Sequence, residues 1–468
     1  MAHKKLKKLT LIALLTLLVG LGGFFNNIEA QANDSLWPML NHDGKNTGRS
    51  TQDTSHVDGT VEWSFESDDI QVHVPPTIGG DGTLYVSMIS GETHFRAINS
   101  NGEEEWGFGD ITDPYYSAVG KDTVYVVSDF ESVLYALSKE DGSKEWAFEL
   151  ENETDSYNSI PTIGEDGTIY INSYEAERRL VDGRPEDFLE KNTLQAINPD
   201  GTEKWALEIE KGEERIGIPS IGDDGTIYIT SYASTGGAEG YGTLWAISPE
   251  GKIEWSYDGD GEVGAVTRVS VADDGTLYLL DREGFLHAIN PDGTEEWTYD
   301  ADQRHTRPDA VAIGEDGALY FTLERYLYAV DSGGSEKWVR EAEDRYNDSN
   351  GIAIGGDGTI YFTTEMYGAD STPKLYAFDP DGTERFNITL SEALSSSAPV
   401  IGKNGMIYVS LGAAGEGGAL KAIGGEGAIT PAQKDPSEEN GNGLLWVWIV
   451  LGAMALVGVI FFAVKSRK

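Results

Sequence analysis

The chain has 468 residues, with 34 Lys+Arg against 79 Asp+Glu, a formal net charge of -45 and no cysteine. Such a charge repels nucleic-acid phosphates, and the lack of Cys excludes a disulfide scaffold, a thiolate metal site and a Cys nucleophile. Apolar residues at 39% and aromatics at 10% exclude a globally disordered chain.

In chain order, residues 1–32 read as an export signal. Lys4, Lys5, Lys7 and Lys8 precede an apolar stretch from Leu9 to Phe25, and Ala30-Gln31-Ala32 fits a small-residue cleavage site. Residues 33–58 are a lead-in segment without strand periodicity. Residues 59–423 then repeat. Each unit carries a Gly-rich turn and a strand with tyrosine (Tyr85, Tyr125, Tyr170, Tyr228, Tyr278, Tyr320, Tyr361, Tyr408). Next comes an aliphatic strand with alanine (Ala97, Ala136, Ala196, Ala246, Ala288, Ala329, Ala377, Ala422). A turn and a strand with one large ring follow (Trp106, Trp146, Trp205, Trp255, Trp297, Trp338, Phe386). With a short apolar strand ending in Ile-Gly before the tyrosine, each unit reads as four strands, A to D. The Asp-Gly pairs between A and B, and between C and D, are hairpin signals.

Units of about 40–50 residues with four strands predict an all-β propeller of antiparallel blades. Its first marked strand, around Trp63, is a lone strand D, and the last unit has A, B and C only. The N-terminal strand is therefore expected to complete the eighth blade, which leaves no unpaired end. A polar tether follows over 424–442. Residues 443–464 are apolar and uncharged, long enough for a transmembrane helix. Basic residues in 465–468 place that tail in the cytoplasm. The expected localisation is a cell membrane, single-pass, with the propeller outside. The exterior part is then more acidic than the whole chain, as suits a saline or alkaline medium.

The repeat resembles the PQQ-like (quinoprotein-type) β-propeller family, within the WD40-like/quinoprotein-like superfamily. Ala196, Asn198, Asp200-Gly201-Thr202 and Trp205 resemble that family's tryptophan docking motif, and Trp37-Pro38 with Asp43 and Thr47-Gly48 resembles its lead-in. The resemblance implies that Trp63, Trp106, Trp146, Trp205, Trp255, Trp297, Trp338 and Phe386 dock between blades. A ring at one place per blade is also the natural filler between twisted sheets.

The A–B and C–D turns share one face. The B–C loops and D–A connections share the other, with long B–C insertions at Glu175–Lys191, Ala233–Gly242, Glu365–Pro373 and Gly412–Gly418. Binding is expected on that elaborated face. Its channel-mouth candidates are Tyr116, Tyr157, Arg215, Arg268, Arg304, His305, Arg307 and Tyr346. The Arg residues suit an anionic or carbonyl-bearing ligand; the plainer reading pairs them with Glu214, Asp302 and Asp309.

No nucleophile elbow, zincin or P-loop motif is present. The leading functional reading is a non-catalytic scaffold that binds an extracytoplasmic protein or cell-envelope component, with no cofactor, no metal and no nucleic acid. The family includes a lipoprotein scaffold of outer-membrane assembly. This chain lacks a lipobox Cys and carries the C-terminal helix instead, which points to a single-membrane cell. The first alternative is a dehydrogenase using PQQ and calcium, implied by the family alone. The second is an outer-surface carbohydrate or ligand sensor, which rests on Tyr115, Tyr116, Tyr157, Tyr174, Tyr232, Tyr241 and Tyr367 on the loop face.

Overall fold

A computed structural model describes residues 35–67, 74–88, 94–128, 130–150, 160–181, 184–209, 214–233, 242–259, 268–303, 310–342, 351–364, 372–391, 395–413 and 417–425. These form eight antiparallel sheets, one per blade. The first blade runs Thr77–Ile78, Leu84–Ser87, Phe95–Ile98 and Glu104–Phe108, and the next six repeat this A-B-C-D order. The eighth takes Val400–Ile401, Ile407–Ala413 and Gly417–Gly424 from the C-terminal side and Thr60–Ser67 from the N-terminal side. Trp63 there lies opposite Ala422, so the seam reproduces the register of every other blade.

The three sequence markers form one line across each sheet. In the first blade Tyr85 faces Ala97, which faces Trp106; in the third, Tyr170 faces Ala196, which faces Trp205. Alanine is needed in the middle because the flanking rings lean together over it. Ring centroids of Tyr170 and Trp205 are 5.9 Å apart and tilted by 48°, and the same pair recurs from Tyr125–Trp146 at 5.6 Å to Tyr228–Trp255 at 6.0 Å.

Each large ring then reaches the next blade. The Trp63 indole N–H donates to Ser100 O at 3.0 Å, Trp106 to Lys139 O at 3.0 Å and Trp146 to Pro199 O at 3.1 Å. Trp205, Trp255, Trp297 and Trp338 repeat the contact with Pro249, Pro291, Ser332 and Pro380. Beneath each ring lies the glycine of that C–D turn. A Cβ on Gly201 would sit 2.7 Å from the Trp146 ring, and its φ is +83°. Only glycine meets both conditions without strain.

At the seam, where the chain is not continuous between strands C and D, the ring is Phe386. It rests on Gly59 (φ +91°) and needs no acceptor. Thus the blades contact one another in a closed cycle, blade eight against blade one included.

The turns carry their own fastening. Asp200 Oδ1 accepts from Thr202 N at 3.0 Å and Thr202 Oγ1 at 2.6 Å. These donors hold its carboxyl below the usual range.

Two of the four expected B–C insertions are not irregular loops. Ile169–Val181 pairs with Arg184–Ile197 along their whole length, through a bulge at Glu175/Ala176. Ile407–Ala413 and Gly417–Gly424 likewise stay paired to Ala413–Gly417. Hairpin pairing satisfies the backbone where a loose loop would not.

Among the described residues no helix is long and apolar enough to cross a membrane. The export signal, the proposed C-terminal helix and the tether beyond residue 425 lie outside those residues, while Gly424, expected to begin the tether, is the last residue of a strand.

Gly201→Ala should cost about 2–4 kcal/mol, combining strain at positive φ with overpacking against Trp146. Trp205→Phe, which removes the N–H donor and part of the ring's bulk, should cost about 1–2 kcal/mol. Urea unfolding of both variants checks the ranking.

Candidate functional site

The two faces of the ring differ in what covers them. On the A–B turn face the lead-in winds around the channel and bonds to the inner strands in order. Its carbonyls accept from Ile78 N (Trp37 O, 2.8 Å), Val119 N (Pro38 O, 2.7 Å) and Ile221 N (Gly44 O, 2.6 Å). They continue with Val271 N (Lys45 O, 2.9 Å), Ile313 N (Thr47 O, 2.9 Å) and Ile354 N (Gly48 O, 2.7 Å). Each of the six donors directly follows the strand-A residue that faces the blade's tyrosine. Blades one, two, four, five, six and seven are engaged this way. At the third, Gly44 lies against Ile163 O, 3.5 Å from where its Cβ would be.

The segment has a shape of its own. Asp43 Oδ1 accepts from Lys45 N and Thr47 N, both at 3.0 Å, and Asp43 Oδ2 from Thr47 Oγ1 at 2.5 Å. Gly48 N closes the loop on Asn41 O at 2.9 Å. Asn41, His42 and Asn46 take positive φ, a conformation that Asn tolerates better than most residues. Burial pushes the Asp43 carboxyl up, but donors from His42 and Thr47 outweigh it and hold it below the usual range. Asn46 Nδ2 donates to Ser220 Oγ at 2.7 Å and Val269 O at 3.1 Å inside the ring.

Charge reinforces this seat. Lys45 Nζ lies 2.6 Å from Asp223 and 3.5 Å from Asp273, and Arg49 lies 2.9 Å from Asp273. Burial lowers the Lys45 pKa; the two aspartates raise it more, so it stays charged. Beside Arg49 a cleft of about 750 Å³ opens between the A–B turns of blades six and seven, bordered by Asp273, Asp316, Tyr320, Asp357 and Pro380. Three of its carboxylates are engaged: Asp273 with Arg49 at 2.9 Å, Asp316 with Lys337 at 3.2 Å, and Asp357 with Arg385 at 3.1 Å and with Thr54.

The loop-face candidates fare unevenly. Tyr116 is buried, edge-on to Tyr115 at 4.7 Å, and packs with Leu40 of the lead-in and with Val74, Ile160 and Ile218, each just ahead of a strand A. Tyr174 is buried too. Neither can act as a stacking platform, which corrects the sugar-binding surface at these two positions. Arg215 lies in the strand Glu214–Ile216, opposite Tyr232. Arg268 is half-buried just before Val269–Val271. Tyr157, Arg304, His305, Arg307 and Tyr346 lie outside the described residues. Sequence reasoning missed the lead-in as a structural ligand of the ring. The available signal was the run Asn41 to Gly48, rich in residues that tolerate tight turns.

The blade tyrosines offer a chemical check on this packing. Burial first, then neighbouring carboxylates such as Glu145, Asp166, Asp224 and Asp316, push Tyr125, Tyr170, Tyr228 and Tyr320 up to about 12. Their folded pKa values exceed the unfolded value of about 10. The stability they contribute is complete below pH 10 and is lost as pH rises toward 12. Denaturant midpoints should therefore fall steeply over that window, in step with phenolate absorbance. Asp43→Ala, in contrast, should lower the midpoint at neutral pH by about 2–3 kcal/mol equivalent, since three bonds of the lead-in go together.

Comparison with known proteins adds the following. Residues 190–348 match a family model described as outer membrane protein assembly factor BamB. No curated protein matches the chain. Among solved structures, BamB from Moraxella catarrhalis is similar at 13% identity, over 72% of this chain and 95% of that one, with a TM-score of 0.47. A catalytically inactive virginiamycin B lyase from Staphylococcus aureus with quinupristin is similar at 14% identity, over 66% and 95%, also with a TM-score of 0.47. A streptogramin B lyase structure is similar at 14% identity, over 77% and 94%, with a TM-score of 0.44. The match to that family model is thus confined to residues 190–348, and the tyrosine, alanine and tryptophan register already described runs through the same stretch.

Proposed function

We propose that this chain is a non-catalytic scaffold held at a membrane outside the cytoplasm, which binds a protein or envelope component through the B–C side of its third blade. The observation that carries this reading is the hairpin Ile169–Val181/Arg184–Ile197. Its strands have 13 and 14 residues, whereas strands B and C of the first blade have 4 each. Strand D pairs with it only from Thr193 inward, and strand A only at Thr162–Ile163. Among the described residues the outer part of the hairpin pairs only with itself. A ribbon of this kind projects backbone donors and acceptors beyond the ring, and such edges take up extended partners.

Two further points support a scaffold. The family model that matches residues 190–348 is described as an assembly factor. The recurring polar residues of the ring serve the fold: turn aspartates hold their own turns, and the inner strands hold the lead-in. A quinone with calcium would need free carboxylates facing the channel. On the turn side the residues present offer instead Leu40, Asn46 and an ion-paired Lys45, so the quinone reading gains no support. The acidic surface predicts a basic partner face and binding that weakens with salt.

Replacing residues 175–191 by a two-residue Asn-Gly turn should leave the melting temperature of the ring nearly unchanged. On intact cells it should abolish crosslinks formed from this blade, while crosslinks from the outer position Ile253 persist. An unchanged crosslinking pattern would overturn the assignment of the binding face.

A further inference from the structure

The lead-in contacts describe a binding site in their own right. Six blades each present one inner-strand N–H at an equivalent position, and all six converge on carbonyls of one short stretch. Backbone bonds of this kind depend on the path of the bound segment more than on its side chains, as in strand addition to a sheet edge. The ring itself is closed elsewhere, by Thr60–Ser67 against Gly417–Gly424. The lead-in is therefore not what joins blade eight to blade one.

We propose that the inner rim of the turn face is a recognition site for a looped, basic segment, and that residues 37–50 occupy it in cis as a ligand. Three observations define what the site accepts. Asp43 ties the segment to itself through Lys45 N and Thr47 N, and such internal bonds lower the ordering cost of docking. Lys45 and Arg49 face Asp223 and Asp273, so the rim selects positive charge. Gly48, at φ +64°, would bring a Cβ to 2.5 Å from Ile352 O, so the rim requires glycine at that point. The site stands apart from the proposed loop-face function and does not depend on it.

The test uses the full chain with a protease site inserted between Thr51 and Gln52, where Thr51 is exposed. After cleavage of the folded protein, a fluorescent synthetic peptide of residues 35–51 is added and its anisotropy followed. The expected result is saturable uptake with displacement of the cut fragment, weakened by salt. A Gly48→Ala peptide should bind at least tenfold more weakly. The proposal is overturned if the nicked protein takes up no labelled peptide at any concentration, or if the Gly48→Ala peptide enters as well as the parent. It is equally overturned if the nicked protein unfolds, since the segment would then be core and not ligand.

Discussion

One contact repeats around this molecule and the rest depends on it: a large ring from each blade lies on the turn glycine of the next, and seven of the eight rings add an indole N–H bond to a turn carbonyl. An open array of repeats has two ends, and each end exposes a face that wants a neighbour. A cycle has none. The demand on the sequence is strict at three points per blade, the ring, the glycine below it and the small alanine beside it, and loose elsewhere. Loops can then vary without disturbing the frame, as the long third-blade hairpin shows.

The seam illustrates the same constraint. Strand D of the eighth blade comes from the other end of the chain, so the usual C–D turn is absent there. Gly59 takes the place of the turn glycine, and the ring above it is phenylalanine. A phenyl ring fills the space without asking for the carbonyl that the missing turn would have supplied. The lead-in reaches this point after bonding to the inner strands of six blades.

Much of this was legible in the sequence because it is periodic. Tyr, Ala and Trp recur with fixed roles, and their spacing gave the blade count and the N-terminal closing strand. Non-periodic segments were opaque for a physical reason. Nothing in Asn41 to Gly48 states which carbonyl meets which inner-strand amide; that depends on how eight sheets converge, a property of the assembled ring. Polarity likewise misled at Tyr116 and Tyr174: a phenol tolerates burial, and both pack into the interior. The insertion at Glu175–Lys191 read as a long, irregular B–C loop, yet its backbone pairs as a ribbon.

The central claim is that the eight blades are locked as one cycle by their docking rings. Hydrogen exchange of the seven docking indole N–H groups, followed by NMR, tests it most directly. The account predicts that all seven exchange slowly and through one common opening, because releasing one blade breaks the ring for all. A subset exchanging at the rate of exposed indoles, while the sheet amides stay protected, would contradict it.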